Sequence, residues 1–421
     1  KLKGCDIMKE RIFSRKFWQK VFNYQLIIWF LLMISYTFSQ RNNHFYFIGD
    51  LFNLAFSTVI MGLNFYVQFK KDSSKTNTQI VRWLTIVIFP FNFCQIWHIT
   101  GNFLLKNLPA IEILLVLLLW AVYIFLLVPI AVVHVGPIKN WFLRLLTIYF
   151  LDIQYGDAQN LAINPDFRWL HSLTYQGVIA AIALLTMTCF LVKAWGYHFN
   201  PNLKFIKSPS FQKKILLALL IMATIDLFYN EFINYDKAIW TVFFGVDIGS
   251  FKFSIPNLTA AIEPGILEET ERYLLIVIFL AGFNRFPKYR IPVAIYGSAI
   301  LFGLSHLSNF GWHGESFTAT IAQVIGVMGS AFIWAELYLY TGKLWLPMIY
   351  HFLMDYISDL QSGWNSAGWS WNGEITDYIY TVLIVGVPLL FSIWMLFGKR
   401  RQVMEDNADL ILNLNGRQSM I

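Results

Sequence analysis

The sequence predicts an all-α, polytopic membrane bundle, and three observations carry that prediction. Apolar side chains make up 57% of the 421 residues and charged ones only 14%, whereas a soluble domain sits near half and a quarter. Aromatic residues reach 18%. Apolar runs long enough to cross about 30 Å of hydrocarbon recur along the chain. A soluble α/β enzyme and a largely disordered chain are excluded. The runs are continuous rather than alternating, which argues against a membrane β-barrel.

Taken in order, the apolar segments read as 22–39, 50–68, 80–99, 110–133, 174–194, 215–233, 262–284, 291–308, 318–340, 344–360 and 376–397. Helices are expected in each, because lipid offers no water to an open backbone. These make eleven spans. A twelfth candidate, 138–155, is shorter and carries Arg144. Basic residues help decide its place. Lys9, Arg11, Arg15, Lys16 and Lys20 precede the first span, and Lys70, Lys71 and Lys75 follow the second. Lys204, Lys207, Lys213 and Lys214 lie between 194 and 215; Arg285, Lys288 and Arg290 between 284 and 291; Lys399, Arg400 and Arg401 after the last span. All fall on the cytoplasmic side only if 138–155 crosses. The expectation is therefore about twelve transmembrane helices with both termini cytoplasmic, or eleven if 138–155 is an interfacial helix.

The net charge of +7 belongs to those loops and implies no nucleic-acid partner. Cys5, Cys94 and Cys189 are too far apart in sequence to suggest a disulfide framework or zinc motif. No small-residue cleavage site follows the first apolar run, so no cleavable signal peptide is expected. The chain begins at Lys1, and Met8 could be the natural start. The stretches 154–173 and 361–375 read as non-cytoplasmic loops, and 402–421 as a polar, mobile tail.

Ionisable residues inside spans are expensive and need a reason. Glu263-Pro264-Gly265-Ile266-Leu267-Glu268-Glu269-Thr270-Glu271-Arg272-Tyr273 runs directly into an apolar stretch. Pro264 suits the first position of a helix. Glu268 and Arg272 are four apart and can pair on one face. The bland reading is a charged helix start in the headgroup region, with acids favoured by the dipole. His306 closes Phe302-Gly303-Leu304-Ser305-His306 near the end of a span. His351 and Asp355 are four apart, so they share a helix face, and the carboxylate can fix the imidazole tautomer. Gly326, Gly329 and Ser330 allow close helix approach in 318–340. A Glu–His pair can activate water, and a second His can donate to an oxyanion. The same set could instead ligate a divalent metal. No cofactor is required if Glu and His activate water directly.

Other candidates carry less. Cys94 and His98 are four apart but make only two ligands, so packing is the better reading. Glu112, Asp226 and Glu336 are lone acids in or near spans, and Glu336 could line a cavity. His44, His134, His171, His198 and His313 fall near loops or span ends and read as solvated.

The motif order resembles the CAAX-protease and bacteriocin-processing (CPBP, or Abi) family of intramembrane proteases. A Glu-Glu helix with a following Arg precedes Phe-x-x-x-His and then His-x-x-x-Asp. Thr341-Gly342, Leu344-Trp345 and Pro347 before His351 are also similar to that family. The resemblance covers roughly 260–360, and three motifs in order on three spans make it specific. It implies a helical core that hydrolyses a peptide bond of a membrane-associated or peptide substrate. By the same resemblance, Glu268 with His306 would activate water, and His351 with Asp355 would stabilise the oxyanion. Two positions depart from the family. Its Arg usually stands four after the second Glu, which here is Tyr273, so either Glu268 or Glu269 could face the site. Asp355 stands where the family's characterised proteases carry Asn, and an ionised Asp cannot donate to an oxyanion.

The resulting division is an amino-terminal transmembrane extension (1–257), a CPBP-like core (258–360), and a last span with a cytoplasmic tail (361–421). Two other function classes compete. One is a non-catalytic module for bacteriocin self-immunity or signalling. The other is a transporter, which would call for two related halves, and none is visible. The Lys-, Asn-, Ile- and Phe-heavy composition suggests an AT-rich bacterial genome and a bacterial cell membrane; the endoplasmic reticulum is the alternative.

Overall fold

A computed structural model of the protein describes residues 14–39, 44–70, 75–158, 160–201, 208–232, 252–311, 315–362 and 374–414. Among these, every regular element is helical. They form two compact units, 1–195 and 196–421.

The first unit contains α1 (Arg15–Ser39), α2 (His44–Phe69), α3 (Lys75–Asn107) and α4 (Glu112–Ile124). A π-helix at Ala131–Val135 precedes α5 (Trp141–Ala158), α6 (Arg168–Tyr175) and α7 (Val178–Ala194). In α1 the buried residues are Trp18, Phe22, Leu26, Trp29, Met33 and Thr37, a single stripe at helical spacing. Ile28, Leu31 and Phe38 stay exposed on other faces, as expected of a helix whose outer solvent is lipid. Phe22 and Trp29 pack edge-on against Phe89 of α3. Between α2 and α3, Asn64 Nδ2 donates to Thr85 Oγ1 at 2.8 Å, an interhelical polar tie of the membrane kind.

The second unit contains α8 (Lys213–Phe232), α9 (Ile255–Gly282), α10 (Pro287–Ser305), α11 (Phe317–Thr341) and α12 (Trp345–Ser362). Its last span joins α13 (Ile375–Thr381), a π-helix (Val382–Gly386) and α14 (Val387–Met395), and α15 (Gly398–Ile411) follows. α9 lies along α12, and α10 along both α9 and α11. Gly265 permits the first contact: a Cβ there would sit 3.0 Å from Phe352 Cβ and 3.1 Å from Met348 O. α8, which precedes residue 258, packs on α11 and α12 within the same unit.

Among the described residues, seven helices are long and apolar enough to cross a membrane, or eight if the pair α6–α7, bent by 56°, counts as one span. The all-helical class is borne out, and the expected count of about twelve is not confirmed. α8, α9 and α12 are not among these seven. The extra candidate 138–155 is occupied by α5 (Trp141–Ala158), whose stretch Trp141–Leu151 is apolar. Its Arg144 is buried in protein, donating from Nε to Ile138 O at 2.7 Å and stacking over Trp195.

Three further expectations are corrected. α9 begins at Ile255 rather than at Pro264. Ser254 Oγ accepts from Asn257 N, and Pro256 occupies the first turn, so the helix starts nine residues earlier and uses Pro256 rather than Pro264. The polar tail is not mobile through 402–411. α15 buries Val403, Met404, Asn407, Ala408 and Ile411; Arg290 binds Glu405 and Asp409, and Asn407 Nδ2 donates to Leu339 O and Tyr340 O. His134 is buried in the first unit rather than solvated. Cys5, His313 and most of 361–375 lie outside the described residues.

Candidate active site

α9, α10 and α12 bring the sequence-predicted residues of the second unit together. Glu268 Oε2 lies 3.9 Å from His306 Nε2 and 3.5 Å from His351 Nε2. His351 Nε2 is also 3.4 Å from Asp355 Oδ2. On the opposite edge of the ring, His351 Nδ1 pairs with Glu269 Oε1 at 2.8 Å. Arg272 Nη1 reaches the same Glu269 oxygen at 3.2 Å. The pairing inferred from spacing, Glu268 with Arg272, is thus replaced by Glu269 with Arg272, one residue closer along the helix. Both i,i+3 and i,i+4 pairs can meet on a helix, and packing decides between them here.

The adjacent glutamates have divided roles. Glu268 is partly exposed and lines a cavity of about 630 Å³ with His306, His351 and Asp355. Glu269 and Arg272 are each 1% exposed and stand behind it. Arg272 is held between rings, 4.0 Å from the Phe302 centroid and 4.7 Å from that of Trp334. Such contacts gain strength when the cation is desolvated. Trp334 also stacks on His351, with centroids 4.7 Å apart. Glu269 and Trp334 together fix the imidazole plane.

His306 begins the 3₁₀ turn that ends α10. Its Nδ1 lies 3.1 Å from Phe302 O. A carbonyl only accepts, so Nδ1 carries the proton in this contact and Nε2 faces Glu268. α12 is fastened from behind by Tyr350, whose hydroxyl donates to Leu220 O at 3.1 Å and lies 3.1 Å from Thr224 Oγ1. Residue 351 is next in the chain, so α8 sets the height of His351.

Trp334 was not anticipated as a site residue, nor were the cavity-lining Asn230 and Glu231 of α8. A tryptophan among apolar residues gives no sequence signal, and α8 lies outside the motif block. Glu336 is buried and does not line this cavity; Glu112 accepts from Asn164 N at 2.6 Å in the first unit. Cys94 is packed in the core. Among the described residues, no three His, Cys, Asp or Glu side chains are arranged to hold a metal ion.

Residues 251–357 match the family described as Type II CAAX prenyl endopeptidase Rce1-like. This segment is similar to the CAAX-protease family. It contains every residue of the cluster and about a quarter of the chain, and it bears out the resemblance read from the motifs. No curated protein and no solved structure matches the chain at a significant level. The apolar helices and the Rce1-like segment fit an integral membrane protein, and the matched family is one of proteases.

Proposed function

We propose that the second unit is an intramembrane endopeptidase acting on a peptide with a prenylated carboxy-terminal segment. The observation that carries this reading is the convergence of Glu268, His306 and His351 from three helices on one cavity. The substrate class rests on the prenyl endopeptidase match.

A water between Glu268 Oε2 and His306 Nε2 would hydrogen-bond to both. Glu268 takes its proton as the oxygen attacks the scissile carbonyl, a role that requires reach within about 3 Å or one water. The carbonyl oxygen becomes an oxyanion. His351, with Nδ1 held by Glu269, presents Nε2 to the cavity and in its imidazolium form donates to that oxyanion. An ionised Asp355 can only accept, so it supplies negative charge beside the His351 imidazolium rather than binding the oxyanion itself. Collapse of the intermediate breaks the C–N bond. The proton held by Glu268 passes to the leaving amine, and the products are a shortened peptide ending in a new carboxylate and a released peptide with a free amino terminus. Arg272 and Glu269 act at one remove, by positioning His351.

The test is cleavage of a synthetic farnesylated peptide by the purified full-length protein in detergent. Release of the residues after the prenylated cysteine is expected from wild type. Glu268→Gln and His306→Ala should each slow it by about 10²–10⁴-fold, the range for loss of general acid–base catalysis. Equal rates in wild type and both variants would contradict the proposal.

A further inference from the structure

A second polar pocket lies in the first unit, outside the segment matched to the peptidase family. Its volume is about 130 Å³. It is built where helix ends meet: the start of α1, the end of α2, the start of α3 and the π-helix at Ala131–Val135. Arg15, Gln68, Arg82 and His134 line it, together with Gln19 and Thr78, and among the described residues no Asp or Glu does.

Its cations are arranged at a cost. Arg15 and Arg82 are close enough to repel one another, and both repel a charge on His134. Arg15 Nη2 donates to Val133 O at 3.2 Å, which leaves most of its fork unused. Arg82 is partly buried, with Arg15 as a like-charged neighbour. His134 is only 7% exposed. Its ring packs edge-on against Phe22, and Nε2 is buried with no hydrogen-bond partner. A buried polar atom without a partner needs an explanation. The half-buried Arg82 beside it needs one as well, since taking a cation out of water is expensive unless it is paired.

One ligand chemistry answers both. We propose that this pocket binds a phosphate group, with Arg15 and Arg82 as its charge partners and His134 as the donor at its inner wall. Guanidinium forks match phosphate oxygens bidentately. The volume suits one tetrahedral oxyanion and little more, given about 30 Å³ for a water in the liquid. The position at helix ends favours a phosphate presented by an anionic lipid headgroup. Lys16, Lys20, Lys70 and Lys75 lie at the same ends of α1, α2 and α3, and would raise the local concentration of such lipid. A free phosphate-bearing solute has the same chemistry and is the other source.

The experiment uses the purified full-length protein and does not depend on peptidase activity. In one arm, native mass spectrometry follows retention of phosphatidic acid or phosphatidylglycerol, against phosphatidylcholine. In the other, thermal melting follows inorganic phosphate, against chloride at equal ionic strength. Arg82→Gln and Arg15→Gln are each expected to weaken binding roughly tenfold, the effect of one lost charge-assisted hydrogen bond. Arg82→Lys should recover part of it. Lys75→Gln, on the same face but outside the pocket, should stay within about twofold. Arg15 is exposed, so its variant keeps the test open if Arg82→Gln fails to fold. Retention of anionic lipid without a response to inorganic phosphate assigns a headgroup; a response to inorganic phosphate in lipid-free protein assigns a solute. No preference for either probe, or an equal loss in Lys75→Gln, overturns the proposal. Because neither arm reads cleavage, its failure leaves the peptidase reading untouched.

Discussion

The two units handle polar groups inside an apolar bundle in opposite ways. In the second, carboxylates meet cations and imidazoles directly: Arg272 and His351 share Glu269, while Arg290 is shared by Glu405 and Asp409. In the first, Arg15, Arg82 and His134 converge with no carboxylate among the described residues of the pocket wall. The lesson is that compensation can be read as ownership. Where the chain supplies both signs, the network holds its own site in shape. Where it supplies one sign only, the other belongs to a ligand.

That contrast is breakable at several points. The largest effect on stability should come from Arg272→Met. It leaves Glu269 buried without its cation, and breaking a buried pair costs about 3–5 kcal/mol. Thermal unfolding in detergent should show a large drop in Tm. An unchanged Tm would mean the aromatic sandwich, not the ion pair, carries the helix contact. Next is Asn407→Ala. Its amide donates to two carbonyls at the end of α11, and stranding them should cost about 1–3 kcal/mol. Proteolysis should then release the segment after residue 397 sooner than in wild type. Smallest is Asn64→Ala in the first unit, where one interhelical hydrogen bond is lost. Such bonds average about 0.6 kcal/mol in membranes. A loss as large as that of Arg272→Met would erase the distinction between the units.

Much of the second unit was legible in sequence because charge inside an apolar run is so costly that its presence is a signal. Glu268, Glu269, Arg272, His306, His351 and Asp355 stood out for that reason, and the structure gathers them. Spacing could not say which glutamate meets Arg272. Positions three and four residues apart are both neighbours on a helix, and the choice was made by Phe302 and Trp334, which fix the guanidinium between two rings. α15 was misread for the converse reason. Its buried stripe includes Ala408 and the polar Asn407, so its hydrophobic signal is weak even though its packing is complete. His134 was misread because proximity to a predicted span end says nothing of whether the chain there is folded into a π-turn against Phe22. Residues that act by closing a wall, such as Asn230 and Glu231 of α8, leave no local pattern at all.

The central claim is that Glu268 and His306 act on one water as a unit. The most direct measurement is a double-mutant cycle on cleavage of the farnesylated peptide, with Glu268→Gln, His306→Ala and the pair, after thermal melting shows that each variant is folded. Groups that act together are strongly non-additive, so removing both costs little more than removing one. The account predicts that the double variant is no more than about tenfold slower than the slower single variant. Losses that multiply, each residue costing its full factor in the absence of the other, would contradict it.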